Sequence, residues 1–106
     1  MADLVKLVVT VPEESADRIR EAVGGAGAGK VGNYAFCSFS SKGTGRFLPT
    51  EGANPAIGEV GQPEVVSEER IEFTCEKDKL TEIIAALRAA HPYEEPAIDV
   101  FPLLSI

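Results

Sequence analysis

Residues 24–32 read GGAGAGKVG. Gly24, Gly29 and Lys30 match the G-x-x-x-x-G-K core of a phosphate-binding loop, and Gly27, Gly29 and Gly32 overlap it with the dinucleotide pattern G-x-G-x-x-G. Either site needs a strand before the glycines and a helix after them, because the phosphate rests on the N-terminus of the following helix. The flanks therefore decide between a nucleotide-binding fold and a different architecture.

Upstream, residues 4–11 read LVKLVVTV and put Val5, Leu7, Val9 and Val11 on one side at period two. That is a strand with one apolar face. Pro12 followed by Glu13 and Glu14 suits the first turn of a helix, where the N-terminal dipole favours acidic side chains. Ala16, Ile19, Val23 and Ala26 follow at helical spacing, which predicts a helix over residues 12–23 that stops at the glycines. Downstream, residues 33–40 read NYAFCSFS, an aromatic, alternating run that predicts a second strand. A helix precedes the glycines and a strand follows them, the reverse of a nucleotide loop. Val31 also stands where a P-loop places its magnesium-binding Ser or Thr. The stretch reads instead as a helix C-cap and a tight turn into a strand.

Residues 41–64 hold Gly43, Gly45, Gly52, Gly58 and Gly61 with Pro49, Pro55 and Pro63, which predicts an inserted arm or hairpin. Such segments in small domains are often functional. Alternation returns at Val65, with Ile71, Phe73 and Cys75 on its parity and Glu68, Arg70, Glu72 and Thr74 on the other. Asp78 is placed to cap a second helix whose apolar stripe is Leu80, Ile83, Ile84 and Leu87, and His91-Pro92 ends it. Residues 97–103 make a last strand, with Pro102 tolerable at an edge. The order predicts one α+β domain over residues 1–106, a ferredoxin-like βαββαβ sandwich with a glycine/proline-rich arm at about 41–64 and both helices on one face of an antiparallel sheet. The other sheet face is left for a partner subunit.

The chain has 106 residues, 44% hydrophobic and 25% charged, with ten Lys and Arg against 17 Asp and Glu, for a net charge of −7. The acidic balance and scattered basic residues argue against nucleic acid and anionic membranes. No apolar run is long enough for a membrane helix, and MADLVKLVV lacks the basic region and cleavage site of a signal peptide. Two cysteines, Cys37 and Cys75, both in apolar runs, are too few for a disulfide scaffold and read as reduced, buried thiols in a cytoplasmic protein.

GKVGNYAFCSFSSKGTGRF, the NPAIGEVG stretch and HPYEEPAIDVFPL together closely resemble the domain inserted in many Nif-three-like proteins (NGG-interacting-factor-three-like). That insert is similar to the CutA and PII-like group of small ferredoxin-fold trimers, so the resemblance implies a CutA/PII-like fold and a homotrimer. In the larger proteins two flanking halves build a dinuclear metal site. This sequence, with a single His, departs from that pattern, and a free-standing version of the insert without the dinuclear site is the expectation. A separate Nif-three-like core protein is the second partner the resemblance implies.

Clefts between subunits hold small ligands in PII-like proteins. The lining expected here comes from the glycine turn, the arm and the HPYEEP turn: Lys30, Tyr34, Gly43, Gly45 and Tyr93. HPYEEP also offers a candidate set for one divalent transition metal, His91 with Glu94, Glu95 and Cys37, since imidazole, carboxylate and thiolate suit Zn or Cu. Against it stands a structural reading in which His91 closes the helix on its carbonyls, Tyr93 anchors the turn and the glutamates are solvated. No catalytic residue is assigned. Cys37 in an apolar strand would hold its proton rather than act as a nucleophile. Glu68 and Glu69, adjacent on a strand, face opposite ways and cannot share a proton. A binding or regulatory module is therefore expected ahead of an enzyme or a metal carrier.

Overall fold

A computed structural model describes residues 3–106. Strand β1 (Leu4–Pro12) leads through a single 3-10 turn, Glu13–Ser15, into helix α1 (Ala16–Gly25). Strands β2 (Phe39–Phe47) and β3 (Glu64–Glu76) form a long hairpin. A second 3-10 turn, Lys77–Lys79, opens helix α2 (Leu80–Ala90), and β4 (Ile98–Pro102) closes the fold. The sheet order is β2-β3-β1-β4, every pair antiparallel. This is the ferredoxin-like α+β architecture predicted above, with Pro102 on an edge strand, where its missing N–H breaks no ladder.

The period-two pattern of β1 sets the layers. Val5, Leu7, Val9 and Val11 face the helices and pack with Ile71, Phe73 and Cys75 of β3, Ile19 and Val23 of α1, and Ile83 and Leu87 of α2. Full burial of each large aliphatic or aromatic side chain contributes about 1.5–3 kcal/mol, so this cluster is the main stabilising element. Helix α1 is tied down at both flanks. Arg18 Nε donates to the Ala90 carbonyl at the end of α2 (2.8 Å), and Arg20 donates to Ser40 Oγ and Glu69 Oε1 (both 3.0 Å). Glu69 thus faces the helices while Glu68 faces away, as their adjacency requires.

Helix α1 runs two residues further than its glycines suggested, through Gly24 and Gly25. It ends in a Schellman motif: Ala28 N–H donates to Val23 O and Gly27 N–H to Gly24 O, with Gly27 at φ 109. Gly29, at φ 79, donates to Thr74 O and accepts from Cys37 N–H, and a Cβ there would overlap the Cys37 backbone. The glycine stretch is a corner pinned to the end of β3.

Three local expectations are corrected. The second strand is not at residues 33–40. Val31 and Tyr34 exchange backbone hydrogen bonds in a turn, Phe36 takes φ 59, and its ring lies over Gly24, so β2 begins only at Phe39. Cys37 therefore lies in a half-exposed turn rather than mid-strand. The first seven residues of the expected arm, 41–47, are strand, because β3 offers them an edge to pair with. Asp78 does not cap α2: it lies inside the 3-10 turn, and the N-cap position is Lys79, with no side-chain cap bond.

The face away from the helices carries Phe39, Gly43, Gly45 and Phe47 of β2, Glu68 and Glu72 of β3, Val8 and Thr10 of β1, and Asp99 and Phe101 of β4, as the register dictates. Phe39 and Phe101 remain largely exposed there. The molecule measures 48 × 23 × 23 Å with a radius of gyration of 14.7 Å, against about 13 Å for a compact domain of this length. Among the described residues no helix is long and apolar enough to cross a membrane.

Candidate functional site

At the outer end of the β2–β3 hairpin, the chain between the strands (residues 48–63) folds back over the helix-free face. It is closed on itself by Gly61 N–H to Pro49 O (2.8 Å) and Ala53 N–H to Thr50 O (3.0 Å). It is fastened to the turn after α2 by Asn54 N–H donating to Glu94 Oε2 (2.7 Å).

That turn is built on His91. The last turn of α2 ends when His91 adopts extended backbone (ψ 134), as the residue before a proline does. Its ring is buried. Nε2–H donates to Thr10 O of β1 (2.8 Å), and Nδ1 accepts from Tyr93 N–H (3.1 Å). Both ring nitrogens are thus used, and the arrangement fits one neutral tautomer. Burial pushes the imidazole pKa below its ordinary value, partly offset by the bond to Thr10 and by the Glu68 charge.

Tyr93 is carried from there onto the sheet. Its hydroxyl donates to Glu68 Oε2 (2.8 Å), and its ring meets Phe47 edge to face at 5.7 Å. Burial, then the bond to Glu68, push the phenol pKa well above its ordinary value, so the proton stays on oxygen. Glu68 is 7% exposed. It fits because β2 has no side chain beside it: Gly43 pairs opposite Glu68, and a Cβ on Gly45 would overlap the carboxylate.

Between hairpin, loop and turn lies a cavity of about 550 Å³. Its floor is Glu68, Gly45 and Thr10, and its walls include Phe47, Tyr93 and Ile57, with Glu94 and Glu95 at one side. The volume falls within the roughly 300–1,000 Å³ of small-molecule sites.

Of the residues expected to bind a ligand, Gly45 and Tyr93 line this cavity, and Gly43 sits beside it on β2. Lys30 lies elsewhere, in a separate pocket with Lys79 and Glu76, and Tyr34 is 74% exposed on the turn before β2. The expected metal set is divided in the same way. Glu94 and Glu95 reach the cavity, His91 lies behind Tyr93 with both nitrogens bonded, and Cys37 hydrogen-bonds the glycine corner. Among the described residues no group of three or more His, Cys, Asp and Glu side chains is arranged to hold a metal ion. His91 ends its helix as expected, but its ring bonds to β1 rather than to the helix carbonyls. Glu68 and Phe47 were not anticipated. The signal for Glu68 was Gly43 and Gly45, two residues apart, clearing one face of the neighbouring strand.

No family model matches the chain. It is 52% identical over 103 residues to a GTP cyclohydrolase 1 type 2 homolog of Mycobacterium tuberculosis, which covers 97% of this chain and 27% of that protein. Among solved structures it is similar to a Bacillus cereus protein related to NIF3, with a TM-score of 0.83 and 47% identity over 96% of this chain and 26% of the other. The chain therefore spans about a quarter of the length of the curated relatives it matches. The periplasmic divalent cation tolerance protein CutA of Archaeoglobus fulgidus shares its fold, with a TM-score of 0.69 at 20% identity, covering 94% of this chain and 83% of that one. Sheet order, helix placement and these likenesses agree: the chain has a CutA/PII-like fold and is similar in sequence to a segment carried within a NIF3-related protein.

Proposed function

We propose that this domain is a homo-oligomeric binding module with a regulatory or assembly role. Copies meet, as a trimer, across the helix-free sheet face, and a small ligand is held where the hairpin loop closes over Glu68 and Tyr93. The observation that carries the reading is the cavity itself, a volume lined by three separate segments on the face that no helix covers. Exposed Phe39 and Phe101 on the same face, and the elongated shape, supply surface for neighbouring copies.

The activity in the relatives' name belongs to proteins about four times as long, and in the cavity's hydroxyl–carboxylate pair, Tyr93 and Glu68, the proton is held on the phenol oxygen. Binding rather than turnover is the chemistry its residues support. A metal reading of residues 91–95 draws nothing from His91, whose lone pair already accepts from Tyr93 N–H.

Native mass spectrometry of protein purified without chelators or a metal-affinity tag tests the proposal. A trimer carrying an additional small organic mass is expected. A bare monomer across the micromolar range overturns the assembly, and one metal atom per chain moves the site to Glu94 and Glu95.

A further inference from the structure

Taking the cavity above as a ligand site, we propose that its ligand is a primary ammonium with an apolar body, the ammonium nitrogen bound to Glu68 Oε1. The inference rests on the binding-module reading and names the chemical class that reading left open.

The first argument is the state of Glu68. The residue is more than nine-tenths buried, yet only Oε2 has a partner, the Tyr93 hydroxyl. Among the described residues no group donates to Oε1, and no sealed-off polar atom lacks a partner, so Oε1 opens onto the cavity that Glu68 and Gly45 floor. A carboxylate oxygen in so apolar a setting calls for a donor, and a cationic donor repays the desolvation best.

The second argument is the surrounding charge. Glu68, Glu94 and Glu95 line the cavity, and none of them forms an ion pair among the described residues. Arg46 is the one basic residue on the lining, and strand alternation sends its side chain to the face opposite Gly45 and Phe47. The field inside is therefore negative, which favours a cation and rejects carboxylates and phosphates.

The geometry then separates the cations. A divalent metal takes six or more oxygen ligands or a four-ligand cage, and no such group is assembled. A guanidinium binds a carboxylate best through two parallel bonds, one to each oxygen, and the Tyr93 hydroxyl already takes one acceptor site of Oε2. A primary ammonium needs one strong acceptor and tolerates an aromatic flank, here Phe47 and Tyr93. Leu48, Pro55 and Ile57 add an apolar stretch of wall that matches a hydrocarbon or aryl body.

The test is a ¹⁵N-HSQC titration of the full chain with phenethylammonium chloride and, separately, with sodium 3-phenylpropionate, which has a similar body and the opposite charge. The ammonium should shift the amides around Gly45, Glu68 and Tyr93, and the carboxylate should not. Glu68→Gln keeps an acceptor for Tyr93 and should weaken ammonium binding by at least about tenfold, the scale of one lost charge-assisted bond. Glu94→Gln should weaken it by only about two- to fivefold, through the field. Equal binding of both probes, or ammonium binding unchanged in Glu68→Gln, overturns the assignment. Binding of the carboxylate alone overturns it while leaving the cavity a ligand site. Silence towards both probes overturns ligand binding here as well, whatever oligomer native mass spectrometry finds. The comparison of probes on the unaltered chain decides even if a variant folds poorly.

Discussion

Tyr93→Phe removes one oxygen atom and should be felt as a lost buried bond. In the native chain the hydroxyl satisfies Glu68 Oε2 at 2.8 Å inside the fold. A hydrogen bond to a charged group contributes about 1.5–3 kcal/mol, so Tyr93→Phe should cost about 2 kcal/mol. Glu68→Met, of similar shape, strands the Tyr93 hydroxyl instead and should cost about 1–3 kcal/mol. The double variant replaces both partners with apolar groups and should cost much less than the two single losses combined. The expected coupling is about 2 kcal/mol. With a urea slope of about 1–3 kcal/mol/M for a chain of this size, the Tyr93→Phe midpoint should fall by about 1 M. Equilibrium urea unfolding of all four proteins at one pH and one chain concentration measures the cycle, the fixed concentration removing any contribution from assembly. If the single losses simply add in the double variant, within about 0.5 kcal/mol, the two groups are not energetically coupled and the account of the site collapses.

Other outcomes follow from the same structure. His91 is held neutral, with its folded pKa below the ordinary 6.5, so the unfolded chain takes up the proton first. Its contribution is complete above about pH 6.5 and is lost as pH falls below that; urea midpoints should decline from there, and His91→Gln should flatten that part of the profile. Gly29→Ala, at φ 79 and against the Cys37 backbone, should destabilise by more than about 1 kcal/mol, whereas Gly25→Ala, in the last turn of α1 with open space around it, should stabilise by about 0.5 kcal/mol; thermal melts distinguish the signs. The buried Cys75 thiol is pushed up to about 11, and Cys37 is partly exposed, so a disulfide reagent at pH 8 should titrate one thiol rapidly and the second only with unfolding.

The architecture was legible because the strongest patterns lie where packing is densest. Val5, Leu7, Val9 and Val11 alternate because one face of β1 meets two helices, and the helix-then-strand order around the glycines excluded a nucleotide loop. The misplaced second strand shows how a local pattern misleads. NYAFCSFS alternates like a strand, yet Phe36 packs on Gly24 and bends the backbone to φ 59, while the glycine- and serine-rich FSSKGTGRF pairs because β3 holds it. Strand propensity of that kind is set by neighbours more than by the residues themselves. HPYEEP and Gly45 pointed towards the cavity, but Glu68 did not stand out. It sits on the polar parity of β3 and takes its hydrogen-bond partner, Tyr93, from 25 residues further along the chain. Cys37 and His91 looked like potential partners as residue types. Their separation is a property of the tertiary fold alone.

The sheet order also governs how the chain matures during synthesis. β1 pairs with β3 and β4 and β2 with β3, so no two of the strands among the first 47 residues pair with each other. Of this domain, a nascent chain that has emerged only to Phe47 holds a valine-rich strand, an amphipathic helix and a glycine-rich segment with no strand ladder to join them. Residues 64–76 bring order to everything upstream in one step, by docking between β1 and β2. Until then Val5, Leu7, Val9 and Val11 are a sticky surface that a growing polypeptide must keep from its neighbours. A translational pause before residues 64–76 have left the ribosome would prolong that exposure, and a pause once they have emerged would not.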